Sequence, residues 1–163
     1  MQMIAGFESQ YRAALAMLRQ SIERCPDELW NSGDHPRTFW RIAYHALYYT
    51  HLYLAPTHKK FIPWEKNVEH ARILWDDDET GIPPTDLLYS QQDLLDYCTF
   101  IEQNLTSFLA NIDFNAPTSG FSWYQIPKFE HQLVNIRHIG IHIGQLQELI
   151  YAAGIDLDWV SKR

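Results

Sequence analysis

The sequence has few cysteines and little positive charge, and each shortage excludes a class of protein. Only two cysteines occur, Cys25 and Cys98, far apart and outside any CxxC pair, so neither a disulfide framework nor a thiolate zinc site is predicted. Thirteen basic residues stand against 20 acidic ones, for a formal net charge of -7. Because no basic stripe is present either, we expect no nucleic-acid partner.

Membrane and secretory signals are also missing. No apolar run approaches the roughly 18 residues that cross a bilayer, and the first residues lack the basic-then-apolar order of a signal peptide. We therefore expect a cytoplasmic protein without membrane contact, whose cysteines are reduced and buried. The length of 163 residues, 46% of them hydrophobic and 14% aromatic, fits a single domain over residues 1–163 with a substantial core.

Apolar residues recur at helical spacing in four long segments. The predicted helices cover residues 4–25, 37–55, 85–111 and 127–154. Pro26 and Pro56 end the first two, because proline cannot continue a helix. Since no alternating strand pattern and no internal repeat is found, the sequence predicts an all-α four-helix bundle with long crossover connections.

The connection over residues 56–84 is long for a compact domain. A short helix over residues 65–75 is compatible with its pattern. Two interpretations remain open at this point: a solvated surface excursion, or a lid over a site.

Eight histidines in an acidic chain suggest a metal site. His138 and His142 share a polar stripe with Asn135, set inside the apolar face of the fourth predicted helix at about 100° per residue. Two imidazoles one turn apart can bind one metal ion, and the third ligand must come from another helix. There, His45 lies at the margin of the apolar face, whereas His51 is turned about 120° away and cannot join the same ion.

An alternative is that His45, His138 and His142 are core histidines, hydrogen-bonded to tyrosines or to Asn135. His131 shares the stripe, but it lies about 10 Å along the helix axis from His138 and is too far for a shared ion. We expect His131 to line the wall of a pocket or to act as a capping residue. The other histidines are expected to be solvated: His35, His58 and His70.

The segments FWRIAYHALYYTHLYL and NIRHIGIHIGQL resemble the DinB-like, or YfiT-like, superfamily of four-helix metalloproteins. That family pairs a histidine of its second helix with an H-x3-H motif in a late helix, which places the ligands at His45, His138 and His142. The resemblance implies a homodimer that binds zinc or nickel. It also implies kinship with thiol S-transferases that use bacillithiol, mycothiol or similar small thiols. His51 departs from the family, in which an aspartate is frequent at this position.

The predicted site favours thiol chemistry. Three neutral imidazoles leave an open position on a tetrahedral ion, which is the catalytic pattern. No glutamate adjoins His138 as in an HExxH protease, whereas metal coordination by itself deprotonates a thiol. We therefore predict transfer of a small thiol to a small electrophile, with Tyr49 lining the substrate pocket beside His45. The alternatives are a non-catalytic metal-binding dimeric module and a metal-dependent hydrolase of a small substrate.

A homodimer is also predicted from the residues. The aromatic residues of the second helix, together with a face formed by Gly140 and Gly144, exceed what a four-helix core needs to bury. The aromatic residues are therefore expected to serve both the core and the interface. Each glycine costs a helix interior about 1 kcal/mol relative to alanine, and close backbone packing would offset that cost.

Overall fold

The computed structural model describes residues 2–76 and 79–163. Every element of regular structure in these ranges is a helix, which confirms the all-α class. The long helices are α1 (Gln2–Glu23), α3 (Phe39–Leu54), α4 (Gln91–Ala110) and α5 (Lys128–Ala152). A one-turn helix, α2 (Asp27–Trp30), and a 3-10 helix (His58–Lys60) lie in the connections.

Helix α3 is the central helix of the fold. It packs against α5 and α4, while α1 packs against α4 and α5. Of its residues only Tyr49 is not buried, as expected for a helix that is apolar on all sides. Its other aromatic side chains fill the core of this chain. The prediction that they also form an interface between chains is therefore wrong.

Helix α4 begins later than predicted, at Gln91 rather than at Thr85. Ser90 caps it: the Ser90 hydroxyl accepts from the Asp93 backbone N–H, and the Asp93 carboxylate accepts from the Ser90 backbone N–H. This reciprocal capping box fixes the first turn. Leu88, which extended the apparent apolar stripe, is 56% exposed and lies before the helix.

The connection between α3 and α4 is packed into the protein. Trp64, Ala71, Ile73 and Leu74 are buried and many other described residues of the segment are exposed, so the expectation of a solvated surface excursion holds only in part. No helix forms over residues 65–75, all of which are described. His70 adopts a left-handed φ of 61°, a conformation that breaks a right-handed helix.

Side chains of α3 bind this connection through two of its backbone carbonyls and through the side chain of Asn67. The guanidinium of Arg41, which is 1% exposed, donates to the carbonyl oxygens of Ala71 and Pro84. The hydroxyl of Tyr44 donates to the side-chain oxygen of Asn67 at 2.7 Å. Peptide groups of the connection thus serve as hydrogen-bond acceptors for the central helix, and this fixes the segment beside it.

Helix α5 ends near the predicted glycine. Gly154 has a φ of 78°, and the N–H of Ile155 donates back to the carbonyl of Ile150 at 3.2 Å. Such a left-handed residue reverses the chain at a helix end. The last residues then follow α1, where Gln20 exchanges hydrogen bonds with the backbone of Asp158.

The glycine face of α5 points away from the rest of the chain. A Cβ atom added at Gly140 or Gly144 meets no atom of the described chain within 4 Å. The predicted close backbone packing at these glycines is therefore not found within the chain. Among the described residues, no helix combines the length and the apolar character needed to cross a membrane.

Candidate metal centre

Three histidines meet where α3 packs against α5. The Nε2 atom of His138 lies 3.1 Å from Nε2 of His45 and 3.2 Å from Nε2 of His142. One ring nitrogen from each residue lies within 4.8 Å of the other two, so the group could hold a metal ion. The structure thus brings together the three residues that the sequence analysis selected as ligands.

Hydrogen bonds set the protonation of two of these rings. Nδ1 of His45 donates to the carbonyl oxygen of Arg72 at 2.6 Å, and Nδ1 of His142 donates to Oε1 of Gln145 at 2.9 Å. Both oxygens can only accept, so both protons are on Nδ1. The Nε2 atoms therefore present lone pairs to the centre, as in metal-binding histidines whose other nitrogen is held by an oxygen.

The third ring makes the group unfavourable without a cation. If His138 carries its proton on Nε2, that proton satisfies only one of the two lone pairs facing it. If the proton is on Nδ1, it is buried with no acceptor among the described residues. Either way a buried polar atom stays unpaired, which costs about 1–3 kcal/mol. A cation at the centre satisfies all three Nε2 atoms together, and the proton of His138 then lies on Nδ1, which has no acceptor among the described residues.

The spacing of the group fits a tetrahedral ion. Zinc–nitrogen bonds of about 2.0–2.1 Å place the nitrogens of two tetrahedral ligands about 3.3 Å apart. Two of the three separations, 3.1 and 3.2 Å, are close to this value, and the third lies within 4.8 Å. The alternative of core histidines paired with tyrosines or Asn135 does not match the observed partners. Asn135 instead donates to the carbonyl oxygen of Thr50.

Burial keeps the three rings neutral, which is the state that binds metal. It lowers the pKa of His138 to about 4, and it lowers the pKa values of His45 and His142 as well. The positive charge of Arg37 adds to this effect at His45 and His142. Within the described ranges, no carboxylate or thiolate joins the group. A divalent ion held there would keep its full positive charge.

Tyr49 lies beside the histidines. Its ring centroid is 4.6 Å from that of His45 and 5.4 Å from that of His138. Tyr49 also lines an adjoining cavity of about 300 Å³. The other lining residues are Tyr48, Leu52, Tyr53, His58, Arg72 and Trp123. The structure therefore places Tyr49 between the histidine group and a small cavity.

Arg72 contributes to this site in two ways that the sequence did not indicate. Its carbonyl oxygen orients His45, and its guanidinium lies 5.2 Å from the centroid of the Tyr48 ring, at the wall of the cavity. Arg72 belongs to the long connection, which has no periodic pattern from which to infer a partner. Only the tertiary fold brings it to the site.

The remaining histidines lie outside the group. His51 contacts the hydroxyl of Tyr97 on the α4 side of α3, and His131 packs among the rings of Tyr53 and Phe121. His35 and His58 are exposed, as predicted. The prediction for His70 is wrong, since that residue is half-buried.

Comparison with models of known families, with curated proteins and with solved structures yields no match. The fold and the site therefore define the protein by their own features: an all-helical chain with a three-histidine group that could hold a metal ion.

Proposed function

We propose that the protein is a metal-dependent enzyme of the DinB-like type, built as a four-helix bundle, that transfers a low-molecular-weight thiol to a small electrophile. His45, His138 and His142 hold the metal, which is zinc or nickel. The observation that carries this proposal is the convergence of three Nε2 atoms, two of which have their protons fixed on Nδ1.

When bound, a divalent cation supplies the Lewis acidity that deprotonates a thiol below its ordinary pKa of about 8.5. The protein supplies orientation: the carbonyl of Arg72 and the amide of Gln145 hold two of the rings in place. Because the three ligands are neutral, the site favours an anion such as a thiolate as its next partner.

The cavity beside Tyr49 has room for the electrophile and for the part of the thiol compound beyond its sulfur atom. Tyr48, Tyr49 and Tyr53 offer aromatic walls, and the Arg72 guanidinium can pair with a carboxylate. Burial raises the pKa of Tyr49, although Arg72 partly opposes the shift, so its hydroxyl stays protonated at neutral pH and acts as a hydrogen-bond donor. These features support an electrophile held next to the thiol.

Hydrolysis receives less support from the site. A metal-dependent hydrolase of the HExxH type has a glutamate close to the ion, which acts as general base toward the attacking water. In the described part of the chain the group has no carboxylate member, and Glu130 and Glu148 of α5 are exposed. A thiol has a much lower ordinary pKa than water, so a thiol bound at this site would lose its proton to solvent without a neighbouring base.

Thiol binding can be tested in cobalt-substituted protein. Addition of cysteine near neutral pH is expected to produce a sulfur-to-cobalt charge-transfer band, because the thiol binds as thiolate. An unchanged spectrum together with turnover of esters or amides would favour the hydrolase. If the metallated protein shows neither thiol binding nor turnover, the non-catalytic module becomes the better account.

Arg72 provides a matched test of the cavity. Arg72→Met removes the guanidinium but keeps the carbonyl that orients His45. We expect the affinity of the cobalt protein for 3-mercaptopropionate to fall by about tenfold, since a charge-assisted hydrogen bond is lost. The affinity for 2-mercaptoethanol, which has no carboxylate, should stay unchanged. Equal losses for both thiols would contradict a role for Arg72 in binding an anion.

We also propose that the protein forms a homodimer through the exposed face of α5. Ile141 is 54% exposed on this face, next to the open Gly140 and Gly144 positions. Light scattering at micromolar concentration should give twice the chain mass of 19.2 kDa, and Ile141→Glu should shift the mass toward a single chain. Leu88→Glu, at a residue of similar exposure in the connection before α4, is the control. A wild-type protein with the mass of one chain would refute the dimer.

A further inference from the structure

A second and larger cavity lies on the opposite side of α3 from Tyr49. It has a volume of about 950 Å³ and lies between the end of α3, the segment that follows it and α4. Its apolar walls come from Leu54, Phe61, Trp64, Phe100 and Phe108. None of the three clustered histidines lines it. The proposed thiol chemistry makes no use of this cavity.

His51 is the buried polar residue in the wall of this cavity. It is 4% exposed, and aromatic rings surround its imidazole. The nearest centroids are those of Phe61 at 4.9 Å, Phe100 at 5.2 Å and Phe108 at 5.3 Å. Burial lowers the pKa of His51 to about 4, so the ring is neutral at neutral pH. A neutral imidazole has one N–H donor and one acceptor nitrogen.

The hydroxyl of Tyr97 decides which nitrogen carries the proton. Tyr97 is fully buried, and its oxygen lies 3.0 Å from Nδ1 of His51. Among the described residues, the Tyr97 hydroxyl has no other hydrogen-bond partner. It therefore donates its proton to Nδ1, because a fully buried O–H without an acceptor is costly, whereas Nε2 of His51 is not among the buried unpaired atoms of the described residues and is accessible from the cavity. The proton of the imidazole is then on Nε2.

The Nε2–H of His51 is a donor without a partner. The hydrogen bonds of the described chain include none to this atom, and the ring lines the cavity. A ligand in the cavity can accept this hydrogen bond while its apolar part contacts the aromatic walls. Ligand cavities in proteins have this composition: largely apolar walls with a few polar groups that fix orientation.

The rim of the cavity argues for an uncharged ligand. Lys60, Glu65 and Asp96 line it, so both signs of charge are present. Among the residues that line the cavity, His51 is the buried one with a polar side chain. The charged residues of the lining are not buried. A charged ligand would lose its hydration there without gaining a buried counter-charge.

We propose that this cavity binds a neutral, predominantly aromatic small molecule whose one acceptor oxygen receives a hydrogen bond from His51 Nε2. The volume lies within the range of about 300–1,000 Å³ that drug-sized ligands occupy. The site is independent of the metal group, since His51 belongs to a different face of α3.

Two probes of the same shape test the proposal. 2-Acetylnaphthalene has the acceptor oxygen, whereas 2-isopropenylnaphthalene carries a CH₂ group in its place. Calorimetric titration of the metallated full chain should show the ketone binding about fivefold more tightly, as expected for one neutral hydrogen bond. The indole N–H signal of Trp64 should shift in the NMR spectrum, and that of Trp123, beside the other cavity, should not. Equal affinities, or no binding of either probe at saturation, would overturn the proposal.

Two variants assign the preference to His51. His51→Phe keeps the ring and removes the donor, so the two probes should bind equally. His51→Gln places an amide donor near the position of Nε2 and should restore the preference for the ketone. Persistence of the preference in folded His51→Phe protein would also overturn the proposal. Metal content should be the same in both variants, which separates this result from any failure of the metal site.

Discussion

Replacing His138 or His142 with alanine is expected to abolish tight metal binding. The wild-type chain should bind one divalent ion, and each variant should lose more than roughly 100-fold in affinity. Removing only a hydrogen bond that supports a ligand lowers metal affinity by at most about 100-fold. Removing the ligand itself should therefore lower the affinity further. His45→Ala should have the same effect, because its Nε2 atom completes the group from the other helix. Elemental analysis and chelator competition measure both quantities.

Two controls make this test specific. Gln145→Leu removes only the hydrogen bond to Nδ1 of His142, so affinity should fall by about 10- to 100-fold while the stoichiometry is kept. His51→Ala removes a histidine of the same helix as His45 that lies outside the group, and metal content should not change. Full metal content in His138→Ala and His142→Ala, or a loss in His51→Ala alone, would show that the ligand assignment is wrong.

Helical periodicity predicted much of the fold. It placed α1, α3 and α5 to within a few residues, because prolines and a glycine mark their ends and their apolar residues are regularly spaced. It failed at α4, since Leu88 fits the spacing although it is exposed. The capping box at Ser90 and Asp93 was the better signal, and it is readable in the sequence.

The long connection resisted prediction for a different reason. Its structure depends on long-range partners, such as the buried guanidinium of Arg41 and the hydroxyl of Tyr44. Single long-range hydrogen bonds of this kind leave no periodic pattern, so neither the packing of this segment nor the place of Arg72 could be predicted from the sequence. The same limit applies to α3. Its aromatic residues were more than one buried face needs, and only the neighbouring elements show that the helix is buried on every side.

The three-histidine group was more predictable than its surroundings. Four-residue spacing on one helix puts His138 and His142 on one face, and this follows from helix geometry alone. The choice of His45 over His51 used the angle between them around α3 and the place of His45 at the margin of the apolar face, and the family resemblance indicated the same residue. The tautomers of the histidines could not be predicted from the sequence, because the carbonyl of Arg72 that orients His45 comes from a distant segment.

Replacing His131 with phenylalanine is expected to stabilise the protein. The side chain of His131 is fully buried, and neither ring nitrogen has a hydrogen-bond partner in the described chain. Its neighbours include the rings of Tyr53 and Phe121, with centroids at 4.8 Å. Phenylalanine keeps these contacts and removes two unpaired polar atoms. We therefore expect the free energy of unfolding at pH 7.5 to rise by about 1–3 kcal/mol.

The stabilisation should grow as the pH falls. Burial, assisted by the charge of Lys128, lowers the pKa of His131 to about 4 in the folded protein. The unfolded chain keeps the ordinary value near 6.5. Between these two values the unfolded state binds the extra proton, so His131 lowers the stability of the wild type progressively as the pH falls from about 6.5 to 4. The full difference corresponds to about 3 kcal/mol, and it levels off at lower pH.

Urea unfolding at several pH values between 7.5 and 4, with a chelator present, measures this difference. The other buried histidines titrate in both proteins, so their contributions cancel when His131→Phe is compared with wild type. His58→Phe serves as the control, because it makes the same substitution at an exposed histidine. A constant difference between His131→Phe and wild type across this range would mean that His131 binds its proton over the same pH range in the folded and the unfolded protein, so that burial does not lower its pKa.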